Sequence, residues 1–199
     1  MFTRTLQQSL LAASMCCLVA TANAAPEGDA KAAYDKGDYE QALKILRPLA
    51  AQGYAVAQNN IGAMYDKGQG VAQNDQEALK WFRLAATQGY ATAQNNIGGM
   101  YVKGQGVAQN YQEALKWYRL AAAQGLATAQ YNLGYMYSQG QGVTQNSYSA
   151  HMWFNLASSA GHANGAKIRD LIAKMMTPQQ IEKAQDMARA CQARNFKGC

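Results

Sequence analysis

The heptapeptide GQGVAQN stands at residues 68–74 and again, unchanged, at 104–110. A near copy, GQGVTQN, follows at 140–146, so the copies begin 36 residues apart. The flanks recur with the same period: Tyr54–Gly89, Tyr90–Gly125 and Leu126–Gly161 align without a gap. A fixed period of this length dictates a stack of supersecondary units, each burying its apolar face on the next. It also disposes of another reading of the two glycines. A phosphate loop needs a preceding strand and a following Gly-Lys-Ser/Thr, and neither is present. The loop is a connector inside a repeat.

Each copy reads as helix, loop, helix, tight turn. In the first copy Ala57, Ile61, Met64 and Tyr65 form one helical stripe. Gly68 and Gly70 then open backbone conformations closed to other residues. Asn74 is placed to cap the second helix, and Glu77 three residues on to complete a capping box. The second helix carries Ala78, Trp81, Phe82, Ala85 and Ala86 inward. Gly62, Gly98 and Gly134 recur inside the first helices, where glycine costs about 1 kcal/mol against alanine, so a close approach of two helices is expected there. Ala78, Ala114 and Ala150 are expected to face them, and Trp81, Trp117 and Trp153 to fill larger core gaps.

The ends read as atypical units. Residues 25–53 form a helix pair, with Ala30, Ala33 and Tyr34 in one helix and Asp38 capping a second that buries Ala42, Leu43 and Leu46. Residues 162–199 form another pair. Ile168, Leu171 and Ile172 are expected inward on its first helix, and Thr177, Pro178 and Gln180 open its second. Such ends cap a stack of repeats. The fold class is therefore all-α, a solenoid of about five antiparallel helix pairs.

Before all this, Arg4, the apolar run Leu10–Val19 and Ala22-Asn23-Ala24 make a cleavable secretory leader over residues 1–24. Cys16 and Cys17 would leave with it, and the residues before Cys16 do not fit a lipid-anchor signal. No other stretch is apolar enough to cross a membrane. Export places the chain in a periplasmic or secreted setting, where the two remaining cysteines, Cys191 and Cys199, are expected to pair. Residues 25–161 carry ten Lys/Arg and nine Asp/Glu, whereas 162–199 carry seven and three. The basic tail lacks interleaved aromatics, so it reads as a solvated face rather than a nucleic-acid site.

Catalytic and metal constellations are not legible. His151 and His162 have no ligand-type neighbour at metal spacing, and no nucleophile motif occurs. No cofactor is expected. What the repeats do offer is a variable face. The first two copies differ at six of 36 places, 56/92, 63/99, 66/102, 75/111, 82/118 and 87/123. Three of these, with position 59, fall on one side of the first helix. The side reads Val56, Asn59, Ala63, Asp66, then Thr92, Asn95, Gly99, Val102, then Thr128, Tyr131, Tyr135, Ser138. A ligand groove and neutral surface drift both produce such variation. Asn60, Asn96 and Asn132 recur unchanged. An amide donates and accepts at once and suits a peptide chain, but a bond to the neighbouring repeat requires the same constancy. Tyr131 and Tyr135 are either binding aromatics or packing for the C-terminal unit.

The pattern Ala-x-x-x-Ile/Leu-Gly-x-x-Tyr, Gly-x-Gly-Val, Ala-x-x-Trp, Ala-Ala/Ser-x-x-Gly over Tyr54–Gly161 resembles the Sel-one-like repeat family, the longer-looped relatives of tetratricopeptide repeats. Met176–Gln185 is similar to the closing segment of exported bacterial members. The third copy departs, with His151, Met152 and Asn155 where Leu79, Lys80 and Arg83 stand earlier. The resemblance implies a right-handed superhelix whose variable face lines a concave groove for another protein or peptide of the cell envelope, without catalysis and as a monomer. It leaves two alternatives: a binder of cell-wall glycan, and a weak β-lactamase-like hydrolase. Cysteine-rich relatives linked to penicillin carry paired cysteines within their repeats, and these repeats carry none.

Overall fold

The computed structural model describes residues 24–199, and residues 1–23 of the expected leader, with Cys16 and Cys17, lie outside them. The described residues form ten helices and no strand: α1 (Ala24–Asp35), α2 (Tyr39–Ala51), α3 (Ala55–Lys67), α4 (Asp75–Thr87), α5 (Ala91–Lys103), α6 (Tyr111–Ala122), α7 (Ala127–Gln139), α8 (Ser147–Ser159), α9 (Gly165–Ala173) and α10 (Pro178–Ala193). Helices α1–α2, α3–α4, α5–α6 and α7–α8 pack as pairs, and the second helix of each pair packs on the first helix of the next. The result is an all-α repeat solenoid with its core strung along the stack in successive clusters.

Local chemistry sets each helix end. Gly68 is left-handed (φ 66°), which lets its own N–H and that of Gln69 reach the Met64 carbonyl. The Asn74 N–H then bonds the Tyr65 carbonyl at 3.0 Å and closes the loop. The side chain of Asn74 accepts from the Glu77 N–H, and Asn110 and Asn146 repeat this at Glu113 and Ser149. The expected capping box is only half made in the repeats. Glu77 and Glu113 turn outward to Lys80 and Lys116 at 2.5 Å instead of reaching back. A Lys three residues on competes for the carboxylate, so the cap rests on the asparagine alone. The full box forms at Thr177 and Gln180, because the neutral Gln180 amide offers no ion pair to Lys183 three residues on, which lies over the Tyr148 ring instead.

The recurrent helix glycines do mark close approach, chiefly to an aromatic ring, with the Ala78 carbonyl oxygen also 3.2 Å from a Cβ at Gly62. A Cβ at Gly62, Gly98 or Gly134 would lie 2.8, 2.6 or 2.9 Å from the rings of Phe82, Tyr118 and Phe154. An aromatic ring from the second helix thus lies against the backbone of the first in all three full repeats. These rings are the buried ones. Trp81 and Trp117 are only partly buried and pack back against the cluster of the preceding unit, and only Trp153 is fully enclosed.

The C-terminal unit departs from the pairing rule. Helices α9 and α10 both pack on α8 and make little contact with each other. This explains the departures of the third copy. Leu84 and Leu120 are 48% and 51% exposed, but the matching Leu156 is 1% exposed, sharing a cluster with Met152, Ala188 and Cys191. Met152 stands where Lys80 and Lys116 keep the earlier helices solvated. Asn155 accepts from Arg169 of α9. On α9 itself Ile172 is buried and Ile168 half-buried, while Leu171 faces out, against expectation. Cys191 and Cys199 are joined, their Cα atoms 5.7 Å apart, and the ring between them holds Asn195 and Phe196 in left-handed conformations. Phe196 reaches Gly125 at the end of repeat two.

Candidate functional site

Along the first helices α3, α5 and α7 runs a half-open pocket of about 480 Å³. Eight of the variable-face and asparagine positions line it: Asn59, Ala63, Asp66, Thr92, Asn95, Asn96, Gly99 and Asn132. Its small residues have a physical reason. Ala63 and Gly99 leave space over Phe82 and Tyr118, whose buried rings form the floor. Burial pushes the Tyr118 hydroxyl up to about 12, so it remains a neutral donor. Lys67, Lys103 and Gln105 close the rim. Lys67 and Lys103 were not legible as site residues, because they match in the first two copies and end their helices, where lysine has an ordinary dipole-related role, and Gln105 was not because it lies in the recurring loop. A second pocket of about 650 Å³ continues toward the N-terminus, where Val56, Asn60 and Ala63 meet Tyr34 and Leu46.

The asparagines form a ladder. Asn96 Nδ2 donates to Asn59 Oδ1 at 3.0 Å, and Asn132 Nδ2 to Asn95 Oδ1 at 2.9 Å. Constancy therefore has a structural cause: each bond ties one first helix to the next. The ladder uses one N–H of Asn96 and of Asn132, and an amide carries a second N–H and an acceptor oxygen besides. Their orientation is fixed before any ligand arrives. Behind them a parallel glutamine ladder runs from Gln88 to Gln58 and from Gln124 to Gln94. It stops at Gln130, whose amide is buried without a partner because Ala160 stands where Gln88 and Gln124 stand earlier.

Five assigned positions lie outside both pockets. Tyr131 is corrected from groove to packing: its ring stacks on His162 at 4.1 Å and meets Phe154 edge-on at 5.2 Å. The turn after α8 supplies His162, where the earlier copies have Tyr90 and Leu126. Val102 packs on the core, and Ser138 Oγ donates to the Tyr135 carbonyl at 2.8 Å. Thr128 and Tyr135 are exposed. His151 is buried at the α8–α9 junction. Burial, and secondarily Arg169, holds its imidazole below the ordinary value of 6.5, with Asp170 opposing. Among the described residues no cluster of His, Cys, Asp or Glu is arranged to hold a metal ion, and no helix is long and apolar enough to cross a membrane.

Comparison with known proteins agrees with the architecture. The Sel1 repeat model matches residues 30–54, 55–90, 91–126 and 127–162. The structure is similar to that of a Sel1 repeat protein from Oxalobacter formigenes, with 33% identity over 83% of this chain and 75% of that one, at a TM-score of 0.69. It is also similar to a protective antigen present in uropathogenic Escherichia coli strains displaying an SLR fold. There the identity is 29% over 78% of this chain, the TM-score is 0.58, and 42% of the antigen is covered. No curated protein gives a significant sequence match. Four matched repeats, a shared period and the solenoid built from them lead to one conclusion: the chain belongs to the Sel1 repeat family.

Proposed function

We propose that this chain is an exported, non-catalytic scaffold that holds an extended segment of another protein in the groove along α3, α5 and α7. Repeats of this family serve as protein-interaction scaffolds. The observation that carries the placement is the asparagine ladder. Asn95, Asn96 and Asn132 present oriented amides over a floor of buried aromatic rings, in a pocket of about 480 Å³. Preorganised donors and acceptors lower the ordering cost of binding a chain that carries both. The leader over residues 1–24 and the paired Cys191 and Cys199 support export to the periplasm or beyond.

The test is site-specific photocrosslinking of the exported protein. A crosslinker at Thr92 should yield a discrete protein adduct, reduced by Asn96→Ala, and one at Leu84 on the opposite side should not. Equal adducts from both sides would end the groove assignment. Retention of the protein on purified peptidoglycan, lost with Asn96→Ala, would favour a glycan ligand instead. The N-terminal sequence of exported protein should begin at Ala25.

A further inference from the structure

Helix α9 takes the place of a first helix without being read as one by its sequence. It packs on α8 as α5 packs on α4 and α7 on α6. The register also carries over. Counting one more period of 36 from the repeats, Gly165 falls on the position of Ala57, Ala93 and Ala129, and Ile172 on that of Met64, Met100 and Met136. Both are buried, as their counterparts are. The same count puts Asn164, Lys167, Leu171 and Lys174 on the variable face, after Val56, Asn59, Ala63 and Asp66 of the first repeat. All four are exposed. The face therefore has a fourth rung.

Its chemistry changes along the stack. The first repeat contributes one acid, Asp66, the second and third contribute no charge, and α9 contributes two lysines. Neither lysine has an acidic partner among the described residues, and the acid next to Leu171, Asp170, is taken by Arg169. Large apolar groups collect at the same end. Tyr135 and Leu171 occupy one position in successive rungs and are each 47% exposed, and Met175, in the turn beyond α9, is 78% exposed. Monomeric proteins leave single apolar residues outside, but here Leu171 falls between Lys167 and Lys174 on one helical face, with Met175 next to Lys174 and Tyr135 at the matching position one rung before.

We propose that the groove runs on across α9 and that its C-terminal end binds a segment of the partner carrying acidic side chains beside a large apolar one. This rests on the groove reading above and adds the polarity of the bound chain. Lys167 and Lys174 are one charge each on flexible stems, suited to carboxylates rather than to a fixed anion geometry. Leu171 between them, with Met175 and Tyr135 to either side, supplies the apolar contact. The amide pocket along α5 and α7, rimmed by Asp66, Lys67 and Lys103, would take the adjoining backbone. A protein segment is favoured over an anionic bilayer because the register places the patch one rung beyond the pocket, whose lining ends at Asn132 on α7.

The test is selection of random twelve-residue peptides on the whole exported protein, followed by affinity measurement on variants. Lys167→Glu with Lys174→Glu, Leu171→Ser, and Asn96→Ala are compared after thermal melting shows them folded, the first three substitutions being at exposed positions. The expected result is enrichment of peptides with Asp or Glu beside Leu, Phe or Met. Their affinity should fall at least tenfold with the charge reversal and with Leu171→Ser, and also with Asn96→Ala. Peptides that lose affinity only with Asn96→Ala, or that show no acidic bias, would overturn this inference and leave the groove reading standing. Absence of any enriched peptide would overturn both. Retention on phosphatidylglycerol vesicles through Lys167 and Lys174, without peptide binding, would reassign the patch to lipid and overturn the proposal as stated.

Discussion

Two glycines of one loop do different work, and the difference is measurable. Gly104 and Gly106 are both left-handed, at φ 72° and 66°. A Cβ on Gly104 would meet Gln109 at an ordinary 3.4 Å, whereas one on Gly106 would lie 2.5 Å from the Asp75 carbonyl oxygen in the preceding repeat. Backbone cannot yield as a side chain can. Gly104→Ala is therefore expected to cost about 1–2 kcal/mol for the left-handed backbone alone, and Gly106→Ala about 1–3 kcal/mol beyond that for the overlap. Urea unfolding of the two variants checks the ordering, and equal losses would remove the inter-repeat role of the second glycine. At His151 the relevant property is the proton. Its folded value is lowered, so above the ordinary value of about 6.5 both states are neutral and stability is complete. As pH falls below that value the unfolded chain takes up the proton first, and stability declines until the folded value is passed. His151→Leu copies Leu79 and Leu115 and should remove that part of the acid sensitivity, read from unfolding midpoints at pH 7.5 and pH 5.

At the scale of the element, α8 shows how one helix is adapted to end a stack. Its first-turn cap, Asn146, and its inward ring, Phe154, follow the repeat. Its outer side does not: Met152 replaces the lysine of the earlier copies, and with α10 lying on it Leu156 is buried where the same leucine is exposed earlier. In the earlier copies the lysine at this position is solvated and ion-paired with Glu77 or Glu113. Met152→Lys should restore that state. The expected cost is about 2–4 kcal/mol, comparable to truncating a buried methionine because the stem can carry its charge outward. Limited proteolysis should then cut near Thr177 before the repeats. Cleavage unchanged from the wild type would show that α10 is held from elsewhere.

Across the whole molecule, stability is a chain of neighbour contacts, so the ends matter more than their size suggests. The N-terminal end is closed by α1 on α2, with Tyr34 bonded to Gln69 of the first full repeat at 2.6 Å. The C-terminal end is closed by α10 and by the tail that returns Phe196 to Gly125. The ring between Cys191 and Cys199 spans nine residues, for which loop-closure entropy gives about 2–3 kcal/mol. Reduction of the exported protein should lower its unfolding free energy by that amount, and Cys199→Ala should lower it equally without reductant. Two free thiols by mass spectrometry in exported protein would overturn the pairing.

The period of 36 determined the all-α stack, because a repeated unit that cannot bury its apolar stripe alone has to stack on its copies. Helix caps and turns followed from local chemistry, since Asn74, Gly68 and Thr177 act on backbone groups within a few residues. The variable face was legible in part: Ala63, Thr92, Asn95 and Gly99 do line the pocket, as spacing along one helix implied. Beyond that, packing decided. Comparing copies treats each position as having the same surroundings, and that equality fails where the stack ends. Tyr131 left the face because His162 stands beside it, and Leu171 joined it because α10 chose α8 over α9. Whether Glu77 closed a box or met Lys80 was likewise a competition between two nearby partners, which spacing cannot rank and three-dimensional arrangement can.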